Sequence, residues 1–465
     1  MVEIRYVSEP GTNLLHSAGG AVKRELLLGA RVHVDPANSQ NGFVHATLMR
    51  RKDTDVAKTG FIDETRLSPT QQLKVFYVDV GQGDATLIEA EGVVVVVDGG
   101  PYSRFYDRMV ERLAHIRQAD ADAGLPRRDR LMINAMVISH FDTDHYQGAI
   151  KLLESDDFEV GTLYHQGLVR YGEGANKDLD LGDTADEADG SESISTDLDD
   201  LASARALAAA ADFRTETGKD NTFLKFLKAA FKADDEGRLG AMTRLVRRDP
   251  AGPAPELPGL GPDVTLEVLG PLSTEVAGPV RLPAFPDPHK VSLTNPHPSP
   301  SDSHTLNGNS IVLRLRHGSQ RFLFGGDLNQ PSQLYLRARY PDMTPFEAEV
   351  NKACHHGSSD FDLGYLQAVA PLATVFSSGD DKNYDHPLPD AMGAAARHGR
   401  GDYPLVFSTE LVREVSSSGK VTLYGNINAR CNGTTVVMAQ RKEKPTLRKE
   451  WIPYRLPYAG PFGGH

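Results

Sequence analysis

The 465-residue chain has little cysteine and less tryptophan: Cys354, Cys431 and Trp451 are all there is. Two cysteines cannot build a disulfide framework or a four-thiolate zinc site, which makes the cytosol the default compartment. Long apolar runs are also missing. The longest, residues 93–97 and 206–211, fall far short of the roughly 18 residues that a membrane span requires. The opening MVEIRYVSEPGTN has no apolar h-region, so neither a secretory signal nor membrane insertion is expected. Positive charge is not in excess. The formal net charge is −13, and residues 171–200 account for most of it, with eleven Asp and Glu residues against Lys177 alone. That local acidity argues against a broad non-specific nucleic-acid surface but leaves room for a basic groove elsewhere.

What remains is the composition of a folded protein. Hydrophobic residues make up 40% and charged residues 24%, enough for a real core. The length allows one large domain plus a smaller one, or two or three of average size. Residues 1–70 read as a small β domain, in which short apolar segments alternate with turn signals such as Glu9-Pro10-Gly11 and Asn41-Gly42. From Leu73 the pattern changes. Residues 74–80 and 85–89 read as strands around a Gly-Gln-Gly-Asp turn, and 93–97 is a β-branched run of the kind buried on both faces. Residues 105–119 look helical, and 131–139 form another buried strand ending at His140. Strands with helices between them predict an α/β layered domain over 71–440. An acidic and helical insertion interrupts it at about 166–262. Its acidic part is expected to be a solvated loop, and 198–211 and 222–233 have helical composition. The tail, 441–465, is expected to be irregular.

His140-Phe141-Asp142-Thr143-Asp144-His145 carries the strongest chemical signal. Four of its six residues are metal-ligand types, and they follow a buried strand. One turn of loop can aim His140 and Asp142 at one ion and Asp144 and His145 at a second. Imidazoles and carboxylates suit zinc, manganese or iron. The bland alternative is a polar loop with incidental histidines. Three further clusters argue against it, each past an apolar strand: Gly325-Gly326-Asp327, Lys352-Ala353-Cys354-His355-His356-Gly357-Ser358, and Tyr384-Asp385-His386-Pro387. Several strand ends carrying such residues describe an active site above a sheet edge.

Together with Phe76 to Asp84, Asp98-Gly99-Gly100 and Asn307-Gly308-Asn309-Ser310, these motifs resemble, in order, metallo-β-lactamase-fold hydrolases of the ComEC type, the soluble hydrolase domain of DNA-uptake proteins. The resemblance covers about residues 73–438. It implies a four-layer αββα metallo-β-lactamase fold. The segments PGTN, GARVHV, NGFVHATL and TGFIDETRL resemble a bacterial SH3-like barrel, placed N-terminal to it. The general motif has histidine where Asp142 stands, whereas the ComEC type has aspartate. The next histidine ligand of the superfamily has no counterpart, and the matching region offers Asn307 and Asn309. The site implied is oxygen-rich, favouring manganese over zinc.

The resemblance also implies roles. Asp327 would bridge two ions, and His355 or His356 would complete the second ion's shell, with His355 preferred. Asp84 and Asp98 would support the ligands from behind, with Asn307, Asn309 and Ser358 nearby. Asp144 would orient the nucleophilic water. Lys352, Ser358 and His386 would contact phosphate, with His386 protonating the leaving oxygen. The function implied is a metal-dependent phosphodiesterase, on nucleic acid or a small diester, including a phosphocholine ester. A non-catalytic or partner-gated scaffold in a multi-protein bacterial system is the alternative. It would recruit protein through the SH3-like domain or the acidic loop.

Overall fold

The structure is a computed structural model. It describes residues 3–49, 56–169, 181–187, 190–195, 198–210, 219–290, 292, 294, 298–379, 384–409, 412–415, 421–423, 426–441, 448 and 451–457. The acids Glu173, Asp178, Asp180, Asp189 and Asp197 and most of the basic run 441–449 lie outside these.

The five-valine strand Val93–Gly99 shows how the layers are built. Its side chains alternate: Val94 and Val96 join a core with the helices, while Val95 and Val97 join a core with a second sheet. A strand buried on both faces follows, as its composition predicts. The sheet holding it has nine strands. Their order is Leu239–Arg244, Phe158–His165, Leu131–Val137, Val93–Gly99, Ala85–Ala90, Leu73–Tyr77, Ile427–Cys431, Val436–Arg441 and Trp451–Arg455. The first four run parallel. A six-stranded sheet faces it, ordered Val264–Gly270, Val312–His317, Gln320–Phe324, Val350–Lys352, Ala373–Phe376 and Leu405–Ser408. Helices Arg104–Asp122, Thr143–Glu154 and Thr222–Asp235 cover the outer face of the first sheet. Gln330–Arg339 and Leu363–Val369 cover that of the second. The αββα arrangement is therefore present.

The N-terminal segments form a seven-stranded antiparallel sheet with its own small core of Val7, Leu14, Val32, Val34, Val44, Ala46 and Ile62. It is fastened to the larger unit by polar contacts. Arg31 pairs with Asp120 at 3.1 Å, Arg430 Nη1 donates to Leu28 O at 3.3 Å, and Asn432 Nδ2 donates to Ser8 O at 2.9 Å.

Three segments carry more regular structure than their composition suggests. Part of the segment 166–262 is built into the large sheet. Helix Thr222–Asp235 buries Phe223, Phe226, Leu227 and Ala230, and leads into Leu239–Arg244, which extends the large sheet in parallel with Phe158–His165. The acidic stretch is not simply solvated loop. Thr184–Asp186 and Glu192–Ser195 pair with each other and with Arg281–Pro283, because Ile194 packs with Leu168, Leu181, Leu282 and Leu306. In the tail, Trp451–Arg455 adds an edge strand. Pro453 is tolerated there because an edge strand has one side without ladder bonds.

Candidate metal centre

Residues 140–145 lead from strand Leu131–Val137 into helix Thr143–Glu154, with Asp142 at the N-cap position. Tyr146, Ala149, Leu152 and Leu153 bury one face of that helix. Asp144 and His145 thus occupy its first turn, where the helix N-terminus favours a carboxylate. The helix sits very close to the strand end. A Cβ on Gly148 would lie 2.0 Å from Gly99 O, and Gly148 N–H donates to Gly100 O at 2.8 Å. Phe141 packs at 5.0 Å on Phe223 and 5.6 Å on Phe226, so helix Thr222–Asp235 buttresses the loop.

Asp98 follows the valine strand at φ +59°. It accepts from the Ser139 N–H and hydroxyl, both at 2.7 Å, and its Oδ2 lies 2.9 Å from His145 Nδ1. That contact turns His145 Nε2 inward. His356 Nδ1 is held in the same way, donating to Ser377 O at 2.9 Å. The two Nε2 atoms stand 3.3 Å apart. Asp327 Oδ2 lies 3.3 Å from that of His145 and 3.1 Å from that of His356. Asp144 Oδ2 lies 3.2 Å from His356 Nε2 and 4.0 Å from His145 Nε2. Donor atoms around a tetrahedral ion with bonds of about 2.0–2.1 Å stand roughly 3.3 Å apart. The His145, His356 and Asp327 atoms stand at that spacing, and Asp144 Oδ2 reaches it toward His356.

The electrostatics fit a cation. Burial alone would depress both imidazoles. Asp327, helped by Asp98 at His145 and by Asp84 at His356, instead holds both well above the ordinary histidine range. Burial likewise opposes ionisation of Asp327, yet His145 and His356 hold it well below the carboxylate range. A site that draws protons onto its histidines so strongly has the charge to exchange them for a divalent ion.

Asp84 forms with His145, Asp327 and His356 a buried group whose possible ligand atoms lie within 4.8 Å of one another. Its oxygens face the other side of the rings, at 3.3 Å from His356 Nδ1 and 3.9 Å from His145 Nδ1. It therefore backs the imidazoles instead of meeting their Nε2 atoms. His140 is fully buried, with Nδ1 at 3.1 Å from Ser139 Oγ and 3.3 Å from Ser310 Oγ. Its Nε2 has no hydrogen-bond partner among the described residues and stands 3.6 Å from Asp142 Oδ2. These two form a second, sparser donor pair.

The remaining candidates divide. His355 and His356 both adopt left-handed φ, +48° and +54°, a conformation uncommon for non-glycine residues. His355 is the more exposed, with Nε2 3.9 Å from Asp327 Oδ2. His386 sits at the rim, its ring nearly parallel to that of His356 at 6.2 Å. Burial and the neighbouring His356 and His355 push it down to about 4. Gln82 Oε1 accepts from Gly379 N–H at 3.4 Å, so Gln82 Nε2 donates to His386 Nδ1 at 3.1 Å, which leaves the ring proton on Nε2. Lys352 is buried, its Nζ donating to Gly326 O at 3.1 Å, paired with Asp84 and 3.8 Å from Asp327 Oδ1. Ser358 caps a turn, accepting from Asp360 N–H at 3.2 Å. Asn309 anchors the backbone, donating to Pro283 O and Thr305 O at 2.8 Å. Asn307 is buried, and its Oδ1 has no hydrogen-bond partner among the described residues. The residue of that segment that reaches the centre is Ser310, whose hydroxyl accepts from Asp327 N–H at 3.0 Å. Ser139, Ser310 and Ser377 were not anticipated. Small hydroxyl residues carry no motif of their own.

Residues 78–204 match the family model of the metallo-beta-lactamase superfamily. The chain is 26% identical over 102 residues to ComE operon protein 3 of Bacillus subtilis (strain 168), covering 22% of this chain and 13% of that protein. It is 34% identical over 94 residues to competence protein ComA of Neisseria gonorrhoeae, covering 20% of this chain and 13% of that protein. The chain thus spans about an eighth of the length of the curated relatives it matches. Among solved structures it aligns with the metallo-beta-lactamase fold protein YhfI from Bacillus subtilis at a TM-score of 0.34 and 11% identity, over 75% of this chain and 99% of that one. It aligns with CmlA, a diiron beta-hydroxylase from Streptomyces venezuelae, at a TM-score of 0.31 and 12% identity, over 74% and 54%.

Proposed function

We propose that this chain is a metal-dependent phosphodiesterase. In this reading Asp144, His145, Asp327 and His356 hold one divalent ion, and His140 with Asp142 hold a second. The observation that carries it is the cluster of the His145 and His356 Nε2 atoms with Asp327 Oδ2 at 3.1–3.3 Å of one another, with Asp144 Oδ2 at 3.2 and 4.0 Å from the two imidazoles. The match of residues 78–204 to the metallo-beta-lactamase superfamily supports metal-dependent hydrolysis in general. The partial similarity to two competence proteins supports a nucleic-acid ester as substrate. The carboxylate-rich donor set favours manganese over zinc.

A divalent ion at this cluster supplies Lewis acidity toward a phosphoryl oxygen and acidifies water. The chain does the rest. Asp98 and the Ser377 carbonyl lock the two rings in the tautomer that aims Nε2 inward. Asp144, with 31% of its side chain exposed, stands where an attacking water can be oriented. His386 keeps a neutral Nε2–H at the rim, a hydrogen-bond donor for the leaving oxygen. A residues 1–70 SH3-like barrel and the acidic segment are the surfaces for a protein partner.

The test compares wild type with Asp144→Ala, each supplied with manganese or zinc, on bis-p-nitrophenyl phosphate, single-stranded DNA and duplex DNA. Metal-dependent turnover in the wild type, lost in the folded variant, is the expected result. Bound metal with no turnover on any of the three would overturn the reading in favour of a partner-gated or scaffolding role.

A further inference from the structure

The rim of the metal centre carries an exposed ring and an exposed cation that the proposed chemistry does not use. Tyr384 is 59% exposed, and its ring stacks on that of His386 at 5.8 Å and 30°. The chain turns between them at Asp385, with φ +53°, a conformation that aspartate adopts more readily than most residues. His386 in turn lies 6.2 Å from the His356 ring, at 28°. The three rings step outward from the metal ligands to solvent, and the outer face of Tyr384 is open. Arg104 lies on the same rim. A Cβ on Gly81 would stand 2.9 Å from Arg104 Nη1, so the guanidinium rests against backbone that only glycine leaves clear. The next residue, Gln82, donates to His386 Nδ1 at 3.1 Å. Arg104 is exposed and makes no ion pair among the described residues. Arg104, Gly81, Gln82, His386 and Tyr384 thus form one continuous edge. An aromatic face for a base and a cation for the backbone are the two contacts by which proteins hold a single nucleic-acid strand. Bases inside a duplex already stack on their neighbours, and freeing one costs energy.

We propose that Tyr384 and Arg104 form a substrate rim that selects a single nucleic-acid strand, with a base stacked on Tyr384 and a neighbouring phosphate at Arg104. The inference rests on the phosphodiesterase reading above and names the substrate of that site. Both are specificity residues. The scissile phosphate belongs at the metal centre, and these two side chains hold the nucleotides beside it.

The experiment is fluorescence anisotropy with the full chain in chelator, so that nothing is hydrolysed. The labelled probes, of about 12 nucleotides, are oligo(dT), the same backbone without bases, and a duplex. Wild type should bind oligo(dT) at least about fivefold tighter than either of the others. Tyr384→Ala should bind oligo(dT) and the abasic strand alike, and Tyr384→Phe should keep the preference. Arg104→Gln should weaken both single strands equally and lower the slope of log affinity against log salt by about 0.7. Tyr403→Ala is the control. Tyr403 is 84% exposed but precedes strand Leu405–Ser408, at the end of the sheet away from the metal centre, and its loss should change nothing. No binding by wild type, a duplex or an abasic strand bound as tightly as oligo(dT), a preference that survives Tyr384→Ala, or an affinity unmoved by Arg104→Gln would overturn the inference. Turnover of bis-p-nitrophenyl phosphate with Mn²⁺ is read separately. A base preference lost in Tyr384→Ala, in a protein that hydrolyses no diester, keeps this inference and rejects the phosphodiesterase. Turnover without a base preference does the reverse.

Discussion

Two clusters of buried charge lie at opposite ends of the same strands. Where the N-terminal sheet meets the nine-stranded sheet, Glu89 receives Arg112 Nε and Nη2 at 2.5 and 2.7 Å, and Lys74 stands 3.7 Å away. The Phe76 ring lies 5.9 Å from the Arg112 guanidinium and 5.3 Å from that of Arg430. At the other end, Asp84, Asp98, Asp142, Asp144 and Asp327 crowd around one lysine and three buried imidazoles. The first cluster has more cations than anions: its carboxylate is held bidentately, and Arg430 Nη1 donates to Leu28 O at 3.3 Å. In the second, carboxylates outnumber the fixed cation, and histidine nitrogens and carboxylate oxygens point at one another. Burial of charge is costly in both places. The difference is that one cluster is closed by the fold, while the other has the composition to be closed by an ion.

The comparison breaks first at the metal centre. Asp327→Asn removes the oxygen that both imidazoles face, and should cost roughly a thousandfold or more in kcat/KM on bis-p-nitrophenyl phosphate. The melting temperature of the metal-free protein should move by a few degrees at most. At the other cluster the signs reverse. Glu89→Gln strands Arg112 and Lys74 in the interior and should cost about 3–5 kcal/mol of stability in urea unfolding, with metal affinity per folded molecule unchanged. Burial opposes ionisation of Glu89, but Arg112 and Lys74 hold it down at about 2. An unfolded glutamate titrates near about 4.3. The stabilisation from Glu89 is therefore complete above that pH and is lost as pH falls toward 2. The urea midpoints of wild type and Glu89→Gln should converge over that window, and a constant difference would contradict the account.

Asp98→Asn keeps the shape but weakens the hold on His145. It should lower metal affinity by about ten- to a hundredfold by calorimetry, with little change in stability. Asn309→Ala should give the smallest effect. Losing the bonds to Pro283 O and Thr305 O costs about 1–3 kcal/mol, and metal affinity should not change, because this amide is occupied with backbone.

What could be read in the sequence follows the range of the interactions involved. Residues 140–145, Asp98 and the paired histidines were legible because each sits where an apolar strand runs out into a polar turn. The alternation of the valine strand was legible for the same local reason. Which way Lys352 points was not, because pairing with Gln320–Phe324 and Ala373–Phe376 decides the face it shows. Long-range pairing also hid the parallel strand Leu239–Arg244 behind an acidic stretch that looked like an insertion. It likewise hid the edge strand Trp451–Arg455 in a tail rich in proline and tyrosine. The choice between His355 and His356 turns on two consecutive left-handed residues, which no spacing announces.

The most direct test of the central claim is anomalous diffraction from a crystal of the full chain soaked in Mn²⁺. The account predicts the strongest peak between Asp144 Oδ2, His145 Nε2, Asp327 Oδ2 and His356 Nε2. A strongest peak elsewhere, or none in the soaked crystal, would contradict it.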